Sequence, residues 1–445
     1  MSQGGHLHLR RLISHTWPAD LAGQVWPSHA ESVVSGDSET PVGTGLTPSA
    51  PLSSRAAVKA AIGAVATTTS AVIPIFLVGG LAVQISTELR FSPAGLGLVV
   101  ALYFGAGALC SLPVGWLVER YGDRLTSRAG VLLSALSMLA VALLAHSYLS
   151  LVIIMMVGAA ANSLGQLSSN LSLARQVPRH RQGLSFGVKQ SAIPIATLLA
   201  GAAVPTVALT VGWRWAFVVV AGLALLALPL APNGGRPAVR PRGDAHPGTE
   251  RATVALVVVA VGAMLAAGSA SALGIFLVDS SVAQHIGAAT AATVLTLGSV
   301  VGVAARIGGG WLADRRGGTS HLFVVAATLG VGAFGLALLA VSGLVPLVVG
   351  TVLGFGLGWS WPGVLNFAVV QLNPRAPAAA TSITQSGVYV GASLGPLVFG
   401  VLAAHSYPLA WLVAAVAMVA AAVTMVVGRW RLMAHPSVRA ALAGR

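Results

Sequence analysis

Gly115-Trp116-Leu117-Val118-Glu119-Arg120, closing one apolar stretch, recurs as Gly310-Trp311-Leu312-Ala313-Asp314-Arg315 at the close of another, 195 residues later. The same shift carries Gly107 onto Gly302, Gln176 onto Gln371 and Gln190-Ser191 onto Gln385-Ser386, without a gap. One Gly-Trp-Leu match would be weak, but a register held over roughly 80 residues marks a duplicated unit. Each copy of the motif ends an apolar run and opens a polar one, so the duplicated unit is built of long apolar segments joined by basic turns.

Composition says what those segments are. Of 445 residues 56% are hydrophobic and only 8% are charged, 25 basic and 11 acidic. So few charges would leave most of a soluble surface bare, whereas a bilayer is an apolar solvent that needs none. A membrane core about 30 Å thick takes about 20 helical residues per crossing. Twelve stretches qualify: 58–84, 93–117, 126–145, 148–173, 183–208, 213–231, 252–278, 288–312, 320–342, 345–370, 379–403 and 408–428. The expected fold is an all-α membrane protein of twelve transmembrane helices in two pseudo-symmetric six-helix bundles, 56–231 and 252–430. Residues 1–55 and 232–251, rich in Pro, Gly and Ser, read as a disordered tail and a central loop, with 431–445 as a second tail. No apolar run follows Arg10-Arg11 as a cleavable signal would require. The one cysteine, Cys110, excludes a disulfide framework and a thiolate metal site.

Orientation follows from where the basic residues fall. With the first residue inside, 21 of the 25 lie in the tails or inner connections, among them Arg120, Arg124, Arg128, Arg175, Arg179, Arg181, Arg236, Arg240 and Arg242. Arg90 and Arg214 fall outside, and Lys189 and Arg306 fall within spans. The net charge of +14 is therefore an orientation signal with both termini cytoplasmic, and not a nucleic-acid footprint. The Ala-, Gly- and Arg-rich composition points to a bacterial cytoplasmic membrane.

GWLVERYGDR (Gly115 to Arg124) and GWLADRRGG (Gly310 to Gly318) resemble the loop motif of the major facilitator superfamily, roughly G-x-L-a-D-r-x-G-r-r after the second and eighth spans. The resemblance covers the twelve spans and implies the major facilitator fold and a secondary transporter working by alternating access. It assigns Gly115, Glu119, Arg120, Gly122 and Arg124, with Gly310, Asp314, Arg315 and Gly317, to a gating motif whose carboxylate and arginine pair across the halves. The departures are Glu119 for the usual Asp, and Asp123 and Gly318 where basic residues are common, which weakens the latch. The setting of Arg306, Ala-Arg-x-x-x-Gly-x-x-Ala-Asp from Ala305 to Asp314, is similar to the eighth span of monocarboxylate and oxalate/formate type members, where that Arg binds a carboxylate.

Arg306 and Lys189 are cations at membrane depth, where each needs compensation. All eleven acids, from Asp20 to Asp314, lie in tails, connections or span ends. A guanidinium offers a bidentate fork to a carboxylate, so a bound organic anion is one compensating partner; snorkelling to the interface is the other. Family geometry places the fifth and eighth spans face to face. Substrate-binding candidates are then Arg306, Lys189, Gln190, Gln385, Tyr103, Asn162, Asn366 and Tyr389, with Thr67, Thr68, Thr69, Ser70, Gln166 and Asn170 as further polar groups that need partners in a dry bundle. Trp359 and Trp361 are aromatic candidates, and Pro194, Pro205, Pro362 and Pro396 are expected to kink their helices.

An intramembrane enzyme would need a nucleophile with a base, or a metal cluster, inside the bilayer. Most of the eleven histidines, such as His6, His8, His405 and His435, stand in tails or connections, and no phosphate-binding G-x-x-x-x-G-K-[ST] loop is present. The expectation is a transporter without cofactor, catalytic residue or metal, likewise without nucleic acid, monomeric in the bilayer, moving a small molecule that is an organic anion such as a monocarboxylate. Protons are the candidate coupling ion. The alternative is a drug or metabolite exporter working as a proton antiporter; against it, the fourth span reads Ile154-Met155-Met156-Val157-Gly158, without the Arg that drug antiporters usually carry. A reporter fused after Arg445 should be active only on the cytoplasmic side, and an external signal would overturn the span count.

Overall fold

The computed structural model describes residues 54–177, 182–231, 253–315, 321–373 and 377–435. The expected N-terminal tail up to residue 53, the whole central loop 232–251, the end of the C-terminal tail, and Gly317 and Gly318 lie outside the described residues, as do the side chains of Glu119 and Arg175. The helices are α1 (Ser54–Gly80), α2 (Ala82–Leu89), α3 (Pro93–Leu144), α4 (Tyr148–Gln176), α5 (Gln182–Gln190), α6 (Ala192–Ala203), α7 (Trp213–Leu226), α8 (Thr253–Ala283), α9 (Ala288–Arg315), α10 (His321–Leu338), α11 (Leu344–Leu353), α12 (Trp361–Leu372), α13 (Pro377–Ala403) and α14 (Tyr407–Ala434). Twelve stretches among them are long and apolar enough to cross a membrane, from Val58–Gly80 to Tyr407–Ala434. The expected span ends agree with these to within about four residues except that the second span ends at Ser111, the third begins at Arg120, the seventh runs on to Ala283 and the last to Ala434.

Helix is imposed on such segments because a backbone N–H or C=O in hydrocarbon has no water to bond. Where the chain must turn, short polar residues do the capping. Ser92 accepts from the Gly95 N–H at 3.3 Å, Ser406 from the Leu409 N–H at 3.3 Å, and Ser147 forms a reciprocal capping box with Ser150. The second and third spans are nearly continuous in α3. They are separated at Gly122, whose φ of 80° and ψ of 169° break the helix inside the motif. That backbone region is strained for any other residue.

Twelve crossings leave both ends of the described chain on one face, here the terminal face; the turns at 90–92, 145–147, 209–212, 284–287, 339–343 and 404–406 lie on the opposite, distal face. At the distal face the two halves meet through small residues. A Cβ on Gly79 (α1) would lie 2.7 Å from the Ile275 Cα of α8. Gly97 and Gly400 bring α3 and α13 together, one against Pro396 and the other against Pro93, and the Ser393 hydroxyl donates to the Ala101 carbonyl at 2.9 Å. Further along α3, Gly115 has nothing among the described residues within 4 Å of the place a Cβ would take.

Within each half the distal face is tied by one acid. Glu88 on α2 accepts from the Trp213 indole at 2.6 Å and from Arg214 at 2.5 Å, while Arg214 also donates to the Ala145 carbonyl at 2.7 Å and stacks 4.3 Å from the Trp213 ring centroid. Asp279 on α8 accepts from the Tyr407 hydroxyl of α14. The Arg214 guanidinium, with the Trp213 N–H behind it, holds the Glu88 carboxyl below its ordinary value of 4.5. A carboxylate with a lowered folded pKa stabilises at neutral pH, and the contribution is lost as pH falls below the ordinary glutamate range. Glu88→Gln should lower the melting temperature by about 1–2 °C at pH 7, as befits a partly exposed pair. The difference from wild type should close on acidification below the glutamate range.

Candidate functional site

Two helix breaks create the site. In an α-helix the carbonyl at position i accepts from the N–H at i+4, and proline has none. Pro194 therefore leaves the Gln190 carbonyl without its helical partner, and the fifth span is interrupted at Ser191, between α5 and α6. In the tenth span a π-helical turn, Gly354–Gly358, gives way at Trp359 and Ser360 to α12, with Pro362 in its first turn. Both breaks lie at membrane depth, and both face α9.

Arg306 closes them. Its Nε and Nη2 donate to the Trp359 carbonyl at 3.1 and 2.7 Å, and its Nη1 donates to the Gln190 carbonyl. The residue is 3% exposed, with its guanidinium carbon 5.5 Å from the Trp359 ring centroid. One cation from α9 thus serves a carbonyl of each half. The fork expected to meet a substrate carboxylate is engaged by the backbone in this conformation, and snorkelling does not describe it either.

Lys189 is 2% exposed, and its Nζ donates to Gln166 Oε1 of α4 at 2.5 Å. Its partner is thus a neutral amide. Gln190 is half-buried, held by its carbonyl. Tyr103 is wholly buried and donates to the Ala71 carbonyl at 3.1 Å, which spends it on packing α3 against α1. Asn162 is 6% exposed, and its Oδ1 has no partner. Gln385 lies within hydrogen-bonding reach of the Tyr389 hydroxyl one turn on, and both, with Asn366, are half-buried. Of the other polar groups, Thr68 pairs with Ser169 at 2.9 Å, Thr69 reaches the Ala192 carbonyl at 3.5 Å, and Ser70 turns back to Ala66. Thr67 Oγ1 has no partner, and Asn170 is exposed.

The two motif copies behave differently. In the second, Gly310 lets α9 touch α5: a Cβ there would lie 2.7 Å from the Gly183 carbonyl and 3.2 Å from the Gly187 Cα. Asp314 then accepts from the Gly183 and Leu184 N–H groups at 3.1 and 2.8 Å. The expected partner across the halves was an arginine; instead the carboxylate takes two orphan amides at a helix N-terminus, where the dipole favours negative charge. Arg315 stacks 4.0 Å from the Trp311 ring. In the first copy Arg120 lies over Trp116 and Tyr121, at 5.2 and 5.7 Å, and Arg124 is exposed. Asp123 is 0% exposed with neither carboxylate oxygen bonded. A third tie, Thr197 to Ser299 at 2.7 Å, also joins the fifth span to the eighth. The carbonyl partners of Arg306 were missed from the sequence, although Gln190 standing four residues before Pro194 was a readable signal.

The family model described as Major Facilitator Superfamily matches residues 60–376 and again 259–444. The chain belongs to that superfamily. It is a major facilitator superfamily transporter, a multi-pass membrane protein of a family that binds small-molecule substrates within the membrane. The second of the two overlapping matches lies in the C-terminal half, in keeping with the duplication. A chloramphenicol resistance protein of Streptomyces lividans is 28% identical over 345 residues, covering 74% of this chain and 86% of that one. Among solved structures, a bacterial homologue of the human lysosomal transporter Spinster, inward-facing and unoccupied, has a TM-score of 0.62 at 17% identity, covering 88% of this chain and 99% of that one. The same homologue in its occupied form gives 0.59 at 17% identity, covering 85% and 96%. These last two speak to the fold alone.

Asp314→Asn keeps the side chain's shape but removes the charge at the α5 N-terminus, at a cost of about 0.5–1 kcal/mol. Expected results are a lower melting temperature and, in a Cys110→Ser background, faster labelling of Leu184→Cys by a maleimide than in the same background with Asp314 intact.

Proposed function

We propose that this transporter exports a small, uncharged, amphiphilic organic molecule of the chloramphenicol type, from the cytoplasm, across a bacterial cytoplasmic membrane, with both termini cytoplasmic. The observation that carries this reading is the engagement of Arg306 by the Trp359 and Gln190 carbonyls. With that fork spent, the candidate side chains left to meet a substrate, Lys189 apart, are neutral: Asn162, Gln166, Gln190, Gln385, Asn366 and Tyr389. The Streptomyces relative supports the same choice of substrate class. The basic residues that outnumber acids in the connections of the terminal face support the orientation.

With the terminal face inside, the contacts of Gly79, Gly97 and Gly400 close the outer side, and the free space at Gly115 belongs to the inner side. Residues 56–231 and 252–430 then rock about the mid-membrane site, with the first and last segments as tails and 232–251 as the link. Arg306 holds the broken fifth and tenth spans in register while they do so.

The organic-anion reading keeps one support, Lys189, which has no carboxylate partner among the described residues. Flux in proteoliposomes separates the two, with chloramphenicol and a panel of monocarboxylates as probes. Chloramphenicol export that the acids do not inhibit is expected. Arg306→Lys, which has no planar fork, should lower the turnover rate and the melting temperature with little change in KM; carboxylate flux with a raised KM in that variant would establish the anion carrier instead.

A further inference from the structure

Export against a gradient needs an energy source, and the chain carries no phosphate loop. The ionisable groups at membrane depth are therefore the place to look, and most are already committed. Asp279 is bonded to Tyr407 at the distal end of α8, and Asp314 is held by two amides at the terminal end of α9. Arg306 is a permanent cation bonded to two carbonyls. Asp123, buried with neither carboxylate oxygen bonded, sits beside the Gly122 break at the terminal end of the third span, and His321, buried with its Nε2 unbonded, opens α10 at the same face. Deeper in the membrane Lys189 remains, with one neutral hydrogen-bond partner.

We propose that Lys189 is the proton carrier of the transport cycle. The inference rests on the exporter reading above and adds the residue that couples it. An ammonium has three N–H groups to satisfy, and Gln166 Oε1 takes one. A free amine carries no charge to bury, so a dry site costs it far less. The choice of partner fits both forms. A carboxylate would lock the lysine in its charged state, whereas the Gln166 amide can accept from the ammonium through Oε1 or, after a flip, donate through Nε2 to the amine lone pair. Gln166 is only half-buried, so the pair is not sealed on every side.

The surroundings reinforce this. Helices α1, α4, α6, α9 and α12 pack against α5. Their charged or titratable groups are Lys59 at the start of α1, Tyr148 at the distal end of α4, and Arg306, Asp314 and Arg315 on α9; Arg55 and Arg175 belong to these helices too, with side chains outside the described ones, and α6 and α12 carry none. The guanidinium of Arg306 is bonded to the carbonyl of the very next residue, Gln190. A fixed positive charge so close to Lys189 opposes a second one.

The balance is simple. In the state open to the outside, the Nζ lone pair takes a proton from the outer water and becomes an ammonium. After the halves rock, the ammonium gives that proton to the cytoplasmic water as substrate binds, and the amine returns outward with the substrate. One proton enters for each substrate that leaves, and no bond other than N–H is made or broken.

The test has two arms on the full chain in lipid bilayers. In proteoliposomes, an imposed pH gradient should drive chloramphenicol uphill in wild type. Lys189→Met and Lys189→Arg should lose uphill movement while Lys189→Met keeps downhill exchange; gradient-driven accumulation in either variant would overturn the proposal. The second arm needs neither substrate nor variant at position 189. Lys59 and Lys189 are the only lysines, so nitrogen-15 labelling of lysine side chains, with Lys59→Arg for assignment, reports the Lys189 protonation state directly by solid-state NMR. A Lys189 signal that switches between ammonium and amine over the pH range in which the pH gradient drives transport supports the carrier, whereas an ammonium signal throughout would refute it and favour an anion site. If wild type moves no chloramphenicol, the substrate reading fails by itself, and the NMR arm still decides the role of Lys189.

Discussion

In hydrocarbon a carbonyl that loses its helical partner cannot turn to water, and the rest of this molecule is arranged around that constraint. Two spans are broken at membrane depth, one at Pro194 and one at the end of a π-helical turn, and the carbonyls at the breaks, Gln190 and Trp359, are gathered by one guanidinium. The arrangement solves two problems together. The carbonyls obtain charge-assisted hydrogen bonds, and a cation that would otherwise be costly in the bilayer obtains acceptors. Because Gln190 belongs to the first half and Trp359 to the second, the solution also holds the halves together at their centre.

Around this centre the seam between α5–α6 and α9 is tied at three depths. Asp314 caps α5 at the terminal end, Arg306 bridges the middle, and Thr197 meets Ser299 beyond it. The pseudo-symmetric seam between α3 and α13 touches near the distal face, through Gly97, Gly400 and Ser393, and leaves Gly115 free. Among the described residues the second copy of the motif is engaged, through Gly310 and Asp314, while Gly115 of the first copy has open space around it. A rocking transporter requires such asymmetry, since a molecule in which both seams were sealed along their whole length would have no open side.

Burial also sorts the polar residues by kind. Hydroxyl side chains mostly return to a carbonyl one turn back or pair across a helix contact, as Ser70, Thr68 and Thr197 do. The amides are the less settled groups, with Asn162 Oδ1 unbonded and Gln166 holding a lysine. In the proposed exporter, a site assembled from such amides would discriminate by shape and hydrogen bonding, with charge confined to Lys189.

The twelve crossings, the duplication and the basic bias of the connections were legible in the sequence alone, because each depends on composition and period and none on which side chain meets which. The depth of Lys189 and Arg306 was legible for the same reason. Their partners were not. Arg306 was read as a fork facing substrate, yet the carbonyls it bonds are 116 and 53 residues away, and a backbone carbonyl has no signature in a list of side chains. Asp314 was likewise assigned an arginine, because the amides at the start of α5 become available only when Gly183, Gly187 and Gly310 let two helices touch. Local composition decides that a segment must cross the bilayer; only the folded contact between segments decides which polar groups satisfy one another, since in a dry interior that choice is made by proximity.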